Sequence, residues 1–111
     1  MDYGLFIDNE DQAASSAAVF ERKNPVSGER ASVAAAAVAA DVDKAVQSAQ
    51  AAFAAWSKTG PSERRKILNK AADLMEERTP QFVEVGIRET GATAPWLGFN
   101  NMFAAKILRE A

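Results

Sequence analysis

From Asp41 onward the apolar positions of this chain recur at helical spacing. Val42, Val46, Ala49, Phe53 and Trp56 follow one another at steps of four, three, four and three, with Asp43, Lys44, Gln47 and Gln50 off that line. Such spacing draws a single apolar stripe along a helix. It predicts a helix over about 41–57, with Asp41 as its N-cap and Asp43 as first-turn negative charge. Gly60 ends the segment, and Pro61 opens the next at a position where a missing N–H costs nothing. The second helix is expected over 61–77, burying Ile67, Leu68, Ala71, Leu74 and Met75. A third is expected over 80–90, with Thr79 as N-cap, Pro80 as first residue and Gly91 as the C-terminal cap. Gly86 in its middle costs roughly 1 kcal/mol against alanine. Either a close helix approach offsets that cost or the helix tolerates it. A fourth helix, 94–110, carries Trp96, Phe99, Phe103 and Ile107 in one stripe and reaches "ILREA" without a glycine or proline stop.

Before Asp41 the pattern changes. "GLFID" (4–8) and "AVFERKNP" (18–25) are β-prone runs; "NED" closes the first, and Asn24-Pro25 with Ser27-Gly28 supply turn signals after the second. The alanine-rich "RASVAAAAVAADVDKA" has high helix propensity. Val33 and Val38 flank its alanines and a turn precedes it, so 30–37 is read as a third strand. The chain thus reads as short strands over about 4–38 followed by four helices, with no internal repeat or linker dividing residues 1–111.

Composition narrows the chemistry. The 111 residues include 24 alanines, so the 48% hydrophobic content conceals few large side chains and a thin independent core. A formal net charge of −2 gives no electrostatic reason to expect nucleic acid. No apolar run approaches the roughly 18–20 residues of a membrane span, and "MDYGLFIDNE" is acidic where a signal peptide is basic. No membrane association and a cytoplasmic location are the expectations. Cysteine and histidine are both absent, which removes any disulfide, zinc cluster, thiol nucleophile or imidazole base. No metal site and no catalytic residue are expected within the chain.

The charges of the second helix run the wrong way. Arg64, Arg65 and Lys66 lie in its first turns while Asp73, Glu76 and Glu77 lie toward its end, opposing the helix dipole at about 0.3–1 kcal/mol each near exposed termini. Glu63 recovers part. Two accounts stay open: a solvated helix whose pairs, such as Lys70 with Asp73, absorb the cost, or arginines that reach carboxylates or helix-end carbonyls on a structural partner. Trp56 likewise reads as core filler or as a ligand contact.

"DVDKAVQSAQAAFAAW", "SERRKILNKAADLMEER" and "RETGATAPW", preceded by "LFIDNE", "NPVSGE" and a following valine, together resemble the amino-terminal segment of the NAD(P)-dependent aldehyde dehydrogenase superfamily. The likeness covers residues 5 to 110. It rests on the apolar helix ending in Trp56, the double arginine before Ile67-Leu68, the "ADLM" run, and Glu89 with Gly91. "GATAPWLGFN" and "SERRKIL" look most like the bacterial aromatic-aldehyde branch, which acts on salicylaldehyde, benzaldehyde or vanillin. Many members have Gly-Lys-Pro after the capping glycine, where this chain has Gly91-Ala92-Thr93.

The resemblance implies an α/β fold, of which this chain is the outer part of the cofactor-binding domain. It implies a longer enzyme that uses NAD or NADP, a catalytic cysteine, a glutamate-activated water and an oxyanion site to turn an aldehyde into a carboxylic acid, working as a homo-oligomer. The expectation is therefore an N-terminal fragment, truncated at its C-terminus, that binds no cofactor and is inactive alone. The resemblance also implies that the helix after the Glu-x-Gly element lines the aldehyde tunnel. By position that assigns Phe99 and Phe103, and then Trp96 and Asn100, to the tunnel; the same stripe could instead pack on neighbouring helices. Two other readings remain: a free-standing helical interaction module, and a dehydrogenase acting on an aliphatic semialdehyde.

Overall fold

The computed structural model describes residues 2–111. They form five strands, β1 (Asp2–Tyr3), β2 (Leu5–Ile7), β3 (Glu10–Gln12), β4 (Val19–Lys23) and β5 (Arg30–Ala35), then four helices, α1 (Ala39–Trp56), α2 (Pro61–Glu77), α3 (Thr79–Thr90) and α4 (Ala94–Glu110). The chain divides into two compact units. One holds the segment up to Lys23 with Gly28–Lys58; the other holds Asn24–Ser27 with Thr59–Ala111. Among the described residues no helix is long and apolar enough to cross a membrane.

The first unit contains all the strands. β2 and β3 form a hairpin in the register Leu5↔Gln12, Phe6↔Asp11, Ile7↔Glu10. Its two loop residues, Asp8 (φ 57°) and Asn9 (φ 61°), are both left-handed, as a two-residue turn that matches strand twist requires and as short Asx side chains tolerate. The "NED" cluster is therefore not simply a stop, because Glu10 already belongs to the returning strand. The other sheet has the order β1-β5-β4. β4 and β5 are antiparallel, whereas β1 joins β5 in parallel through Asp2↔Val33 and Tyr3↔Ala34. β5 takes the alanine run as far as Ala35, and Ala36 N–H still donates to Ala18 O at 2.8 Å. Ladder bonds on both sides, with Ala31 and Ser32 buried, override the intrinsic preference of alanine for a helix.

Helix α1 starts two residues earlier than expected, and Asp41 is not its N-cap. Val38, extended at φ −110° and ψ 172°, occupies that position. Asp41 sits one turn inside, where Oδ2 accepts the Val38 N–H at 3.0 Å and Oδ1 accepts the Ser15 N–H at 3.0 Å. A carboxylate there satisfies an orphan donor at the helix start as the acidic half of a capping box does. It also holds the loop before β4. The Val38 N–H, and then Ser15, keep the Asp41 carboxyl below its ordinary titration range. Lys44 donates to Gln12 Oε1, and Gln12 Nε2 donates to Ile7 O at 3.2 Å, joining α1 to the hairpin. The apolar stripe of α1 is not covered: Val42, Val46, Phe53 and Trp56 are all exposed.

The second unit is helical and follows the expected boundaries closely. Gly60 precedes Pro61 in extended conformation, and Gly91 ends α3 at φ 69°, its N–H donating to Ile87 O at 3.0 Å. Thr79 is not the N-cap of α3. Its Oγ1 donates backwards to Glu76 O at 2.8 Å, satisfying a carbonyl at the end of α2, and Arg78 alone joins the two helices. Helices α2 and α4 pack together, and Ala72 of α2 and Ala105 of α4 are both 0% exposed. Leu68, Ala71, Leu74 and Met75 are half-buried, but Ile67 is 48% exposed and does not belong to the packed face. Asn24 makes a turn in which its Oδ1 accepts the N–H groups of Val26 and Ser27 at 2.8 and 3.1 Å.

The acidic end of α2 has a partner within this unit. Arg109 Nη2 lies 2.8 Å from Asp73 Oδ1 and 2.8 Å from Glu76 Oε2, and Nη1 donates to Glu76 Oε1 at 2.9 Å. Asp73 thus pairs with Arg109 across helices, where the sequence suggested Lys70. At the other end Lys66 meets Glu63 at 3.2 Å.

Candidate functional site

Helix α4 presents two unlike faces. Its inner face is made at steps of four by Leu97, Asn101, Ala105 and Arg109. Leu97 lies against Gly86 of α3, Asn101 is 6% exposed, and Ala105 is fully buried. Its outer face holds the aromatic stripe. Trp96 and Phe99 stack with ring centroids 6.0 Å apart and planes 26° from parallel. Phe99 and Phe103 follow at 5.9 Å and 6°. These rings are 59%, 50% and 52% exposed respectively, and Ile107 continues the row at 54%. The stripe is therefore about half exposed within its own unit.

The structure brings Trp96, Phe99 and Phe103 together as one ladder of rings. Asn100 lies beside it, exposed, with Nδ2 donating to Trp96 O at 2.7 Å. Its amide nitrogen is thus turned back on its own helix. A row of nearly parallel rings offers a flat apolar wall, against which an aromatic ligand gains about 0.5–1.5 kcal/mol beyond the area it buries. The wall contains no titratable group, so it can bind and orient but not transfer a proton.

Nothing else among the described residues gathers reactive groups. No set of carboxylates is placed to hold a metal ion. An open depression of about 340 Å³ in the first unit is lined by six alanines together with Val19 and Val33, and by Asp2, Tyr3, Asp11 and Gln12 among its polar residues. Another of about 320 Å³ lies between the β2–β3 hairpin and Ala45, Ser48, Ala49 and Ala52 of α1.

Sequence reasoning picked out the outer residues of α4 but not Asn101 or Arg109, which fix its inner side. The signal was present as the i, i+4 series 97, 101, 105, 109, masked by the mixed polarity of those four residues.

These elements are those of a known family. The aldehyde dehydrogenase family model matches residues 12–111, and the chain belongs to that family. It is 47% identical over 107 residues to salicylaldehyde dehydrogenase of Pseudomonas putida, covering 96% of this chain and 22% of that enzyme. It is 47% identical over 111 residues to vanillin dehydrogenase of Pseudomonas fluorescens, covering 100% of this chain and 23% of the relative. The crystal structure of a salicylaldehyde dehydrogenase from Pseudomonas putida G7, complexed with salicylaldehyde, superposes on 99% of this chain and 23% of its own with a TM-score of 0.96. The chain thus spans less than a quarter of the length of the relatives it matches.

Proposed function

We propose that this chain is a segment of an enzyme that oxidises an aromatic aldehyde to the carboxylic acid with NAD or NADP, and that the α4 aromatic ladder forms part of the aldehyde entrance. The observation that carries the reading is 47% identity, over essentially the whole chain, to enzymes named for salicylaldehyde and vanillin. The exposed ladder of Trp96, Phe99 and Phe103 supports it, because a flat wall suits a flat substrate. Asn100 sits at its edge.

The chain by itself is inactive on this reading. It has no cysteine, and oxidation through a covalent adduct needs a nucleophile able to form a tetrahedral alkoxide from which hydride can leave. Its residues also do not fit the dinucleotide. A phosphate cradle needs a glycine-rich turn between a strand and a helix. None of the six glycines lies at such a junction: Gly28 is in the β4–β5 connection, and β5 runs into α1 through Ala36, Ala37 and Val38. On this reading the cofactor site belongs to other parts of the enzyme, and we propose with it a homo-oligomer in the cytoplasm.

The apolar stripe of α1 fits the same picture. Val42, Val46 and Phe53, each more than half exposed, make a face suited to cover by protein rather than by water.

The test is reduction of NAD and of NADP by the intact enzyme with benzaldehyde, salicylaldehyde and propanal as substrates. The aromatic reading requires the aromatic aldehydes to have the higher kcat/KM. A preference for propanal or for an aliphatic semialdehyde overturns it. Turnover by the isolated 111-residue chain would overturn the assignment of catalysis to residues outside it.

A further inference from the structure

Of the four inner contacts of α4, two are directional. Leu97 against Gly86 and the buried Ala105 are apolar and carry no hydrogen-bond direction of their own. Arg109 reaches α2 through a long side chain that is 32% exposed, so it can follow a rotation. Asn101 cannot. It is 6% exposed, and its Nδ2 donates to Met75 O at 2.9 Å and to Thr79 Oγ1 at 2.7 Å. Thr79 Oγ1 in turn donates its own hydrogen bond to Glu76 O at 2.8 Å. One short buried side chain is thus bolted to the corner where α2 becomes α3, and breaking it strands polar groups.

The ladder lies on the opposite side of the same helix. Residues two positions from Asn101 in either direction, Phe99 and Phe103, point about 200° around the axis at 100° per residue. Whatever fixes Asn101 fixes the direction in which the rings face. A rotation of α4 by about 20° moves a side chain at a radius of about 5–6 Å by ~2 Å, enough to spoil a stacking wall.

We propose that Asn101, held by Thr79, is a positioning residue for substrate specificity: it sets the rotation of α4 and so aims the Trp96–Phe99–Phe103 wall. The inference rests on the reading of that wall as an aldehyde surface. It touches no substrate and acts only through the helix it pins.

The experiment compares Asn101→Ala, Thr79→Val, Thr79→Ser and Phe103→Ala in the intact enzyme, measuring KM and kcat for benzaldehyde and for propanal. Asn101→Ala and Thr79→Val are expected to raise the benzaldehyde KM about two- to ten-fold, the factor that a lost aromatic contact carries, with the propanal constants unchanged. Thr79→Ser, which keeps the hydroxyl, is expected to retain the original ratio. Equal losses on both substrates, or no change on either, overturn the proposal and leave Asn101 a structural residue. If Asn101→Ala does not fold, the Thr79 pair decides by the same ratio. Phe103→Ala separates the two levels. If it is selective while Asn101→Ala and Thr79→Val are not, the wall stands and the positioning role falls; if it is not selective, the wall and this inference fall together.

Discussion

Leu97 fills the space that a side chain on Gly86 would need. A β-carbon at Gly86 would lie 2.6 Å from Leu97 Cδ2 and 2.8 Å from Cδ1. The glycine in the middle of α3 is therefore a site of close approach by α4, which accounts for its roughly 1 kcal/mol cost in helix propensity.

Gly86→Ala should destabilise the protein, by about 1–3 kcal/mol of overpacking less about 1 kcal/mol of regained propensity. In a Leu97→Ala background the sign should reverse, because the obstructing methyls are gone. Urea denaturation of the two single variants and the double variant reads this directly; a destabilising Gly86→Ala in both backgrounds would show that the contact is not its cause.

Gly91→Ala should cost more than Gly28→Ala. Both glycines are left-handed, at φ 69° and φ 75°, so each alanine carries about 1–2 kcal/mol of backbone strain. Only Gly91 is also crowded, with Val26 Cγ2 2.8 Å and Pro25 Cγ 3.0 Å from the new β-carbon, whereas a β-carbon at Gly28 would meet no non-neighbouring atom within 4 Å. Paired melting curves measure the difference, and equal shifts would contradict the crowding.

Asp41 should make stability fall in acid. Its carboxyl titrates below its ordinary value in the folded state, chiefly through the Val38 N–H and also through Ser15. A depressed carboxylate contributes stability that is fully present above the unfolded value, about pH 4, and is lost as pH falls through the lower folded value. Asp41→Asn should flatten that part of the stability–pH profile while lowering stability at neutral pH. An unchanged acid limb in the variant would remove Asp41 from the account.

Arg109→Lys should not be a silent change. The guanidinium makes two bonds to Glu76 and one to Asp73, a fork that an ammonium cannot reproduce. These partners raise the arginine pKa further, so its charge persists at every accessible pH. Arg109→Lys and Glu76→Gln should be non-additive in a double-mutant cycle, with a coupling that shrinks as salt is raised; strict additivity would mean that the pair contributes nothing.

The helices of the second unit were readable because their ends are punctuated. Pro61, Gly60, Pro80, Gly91 and Pro95 act through backbone geometry, which is local and visible in one sequence. β1 and β3 were not readable. They are two and three residues long, and the partner that defines β1 is 31 residues away in β5. The sequence marks Asp41 as part of a helix start, but its place one turn inside that start is not legible, because the bond from Ser15 that helps to fix its role is non-local. The role of Thr79 is hidden for a related reason. Its hydroxyl completes the helix behind it and the Asn101 bolt, neither of which a one-dimensional capping pattern records. The aromatic ladder was found as a stripe, but its outward direction depends on the inner face of α4.

The corner at Arg78 has a consequence for how this segment can vary. One residue ends α2 and begins α3, leaving no slack to absorb a change in chain length. Adding or removing a single residue there would turn everything downstream by about a quarter of a circle and pull Thr79 away from Asn101. The segment from Ala13 to Ala18 is no helix; it is held by Asp41 at Ser15 and by the Ala36 N–H at Ala18 O, and it carries no such helical phase relationship. Length differences between relatives should therefore gather in that segment and be missing at the corner.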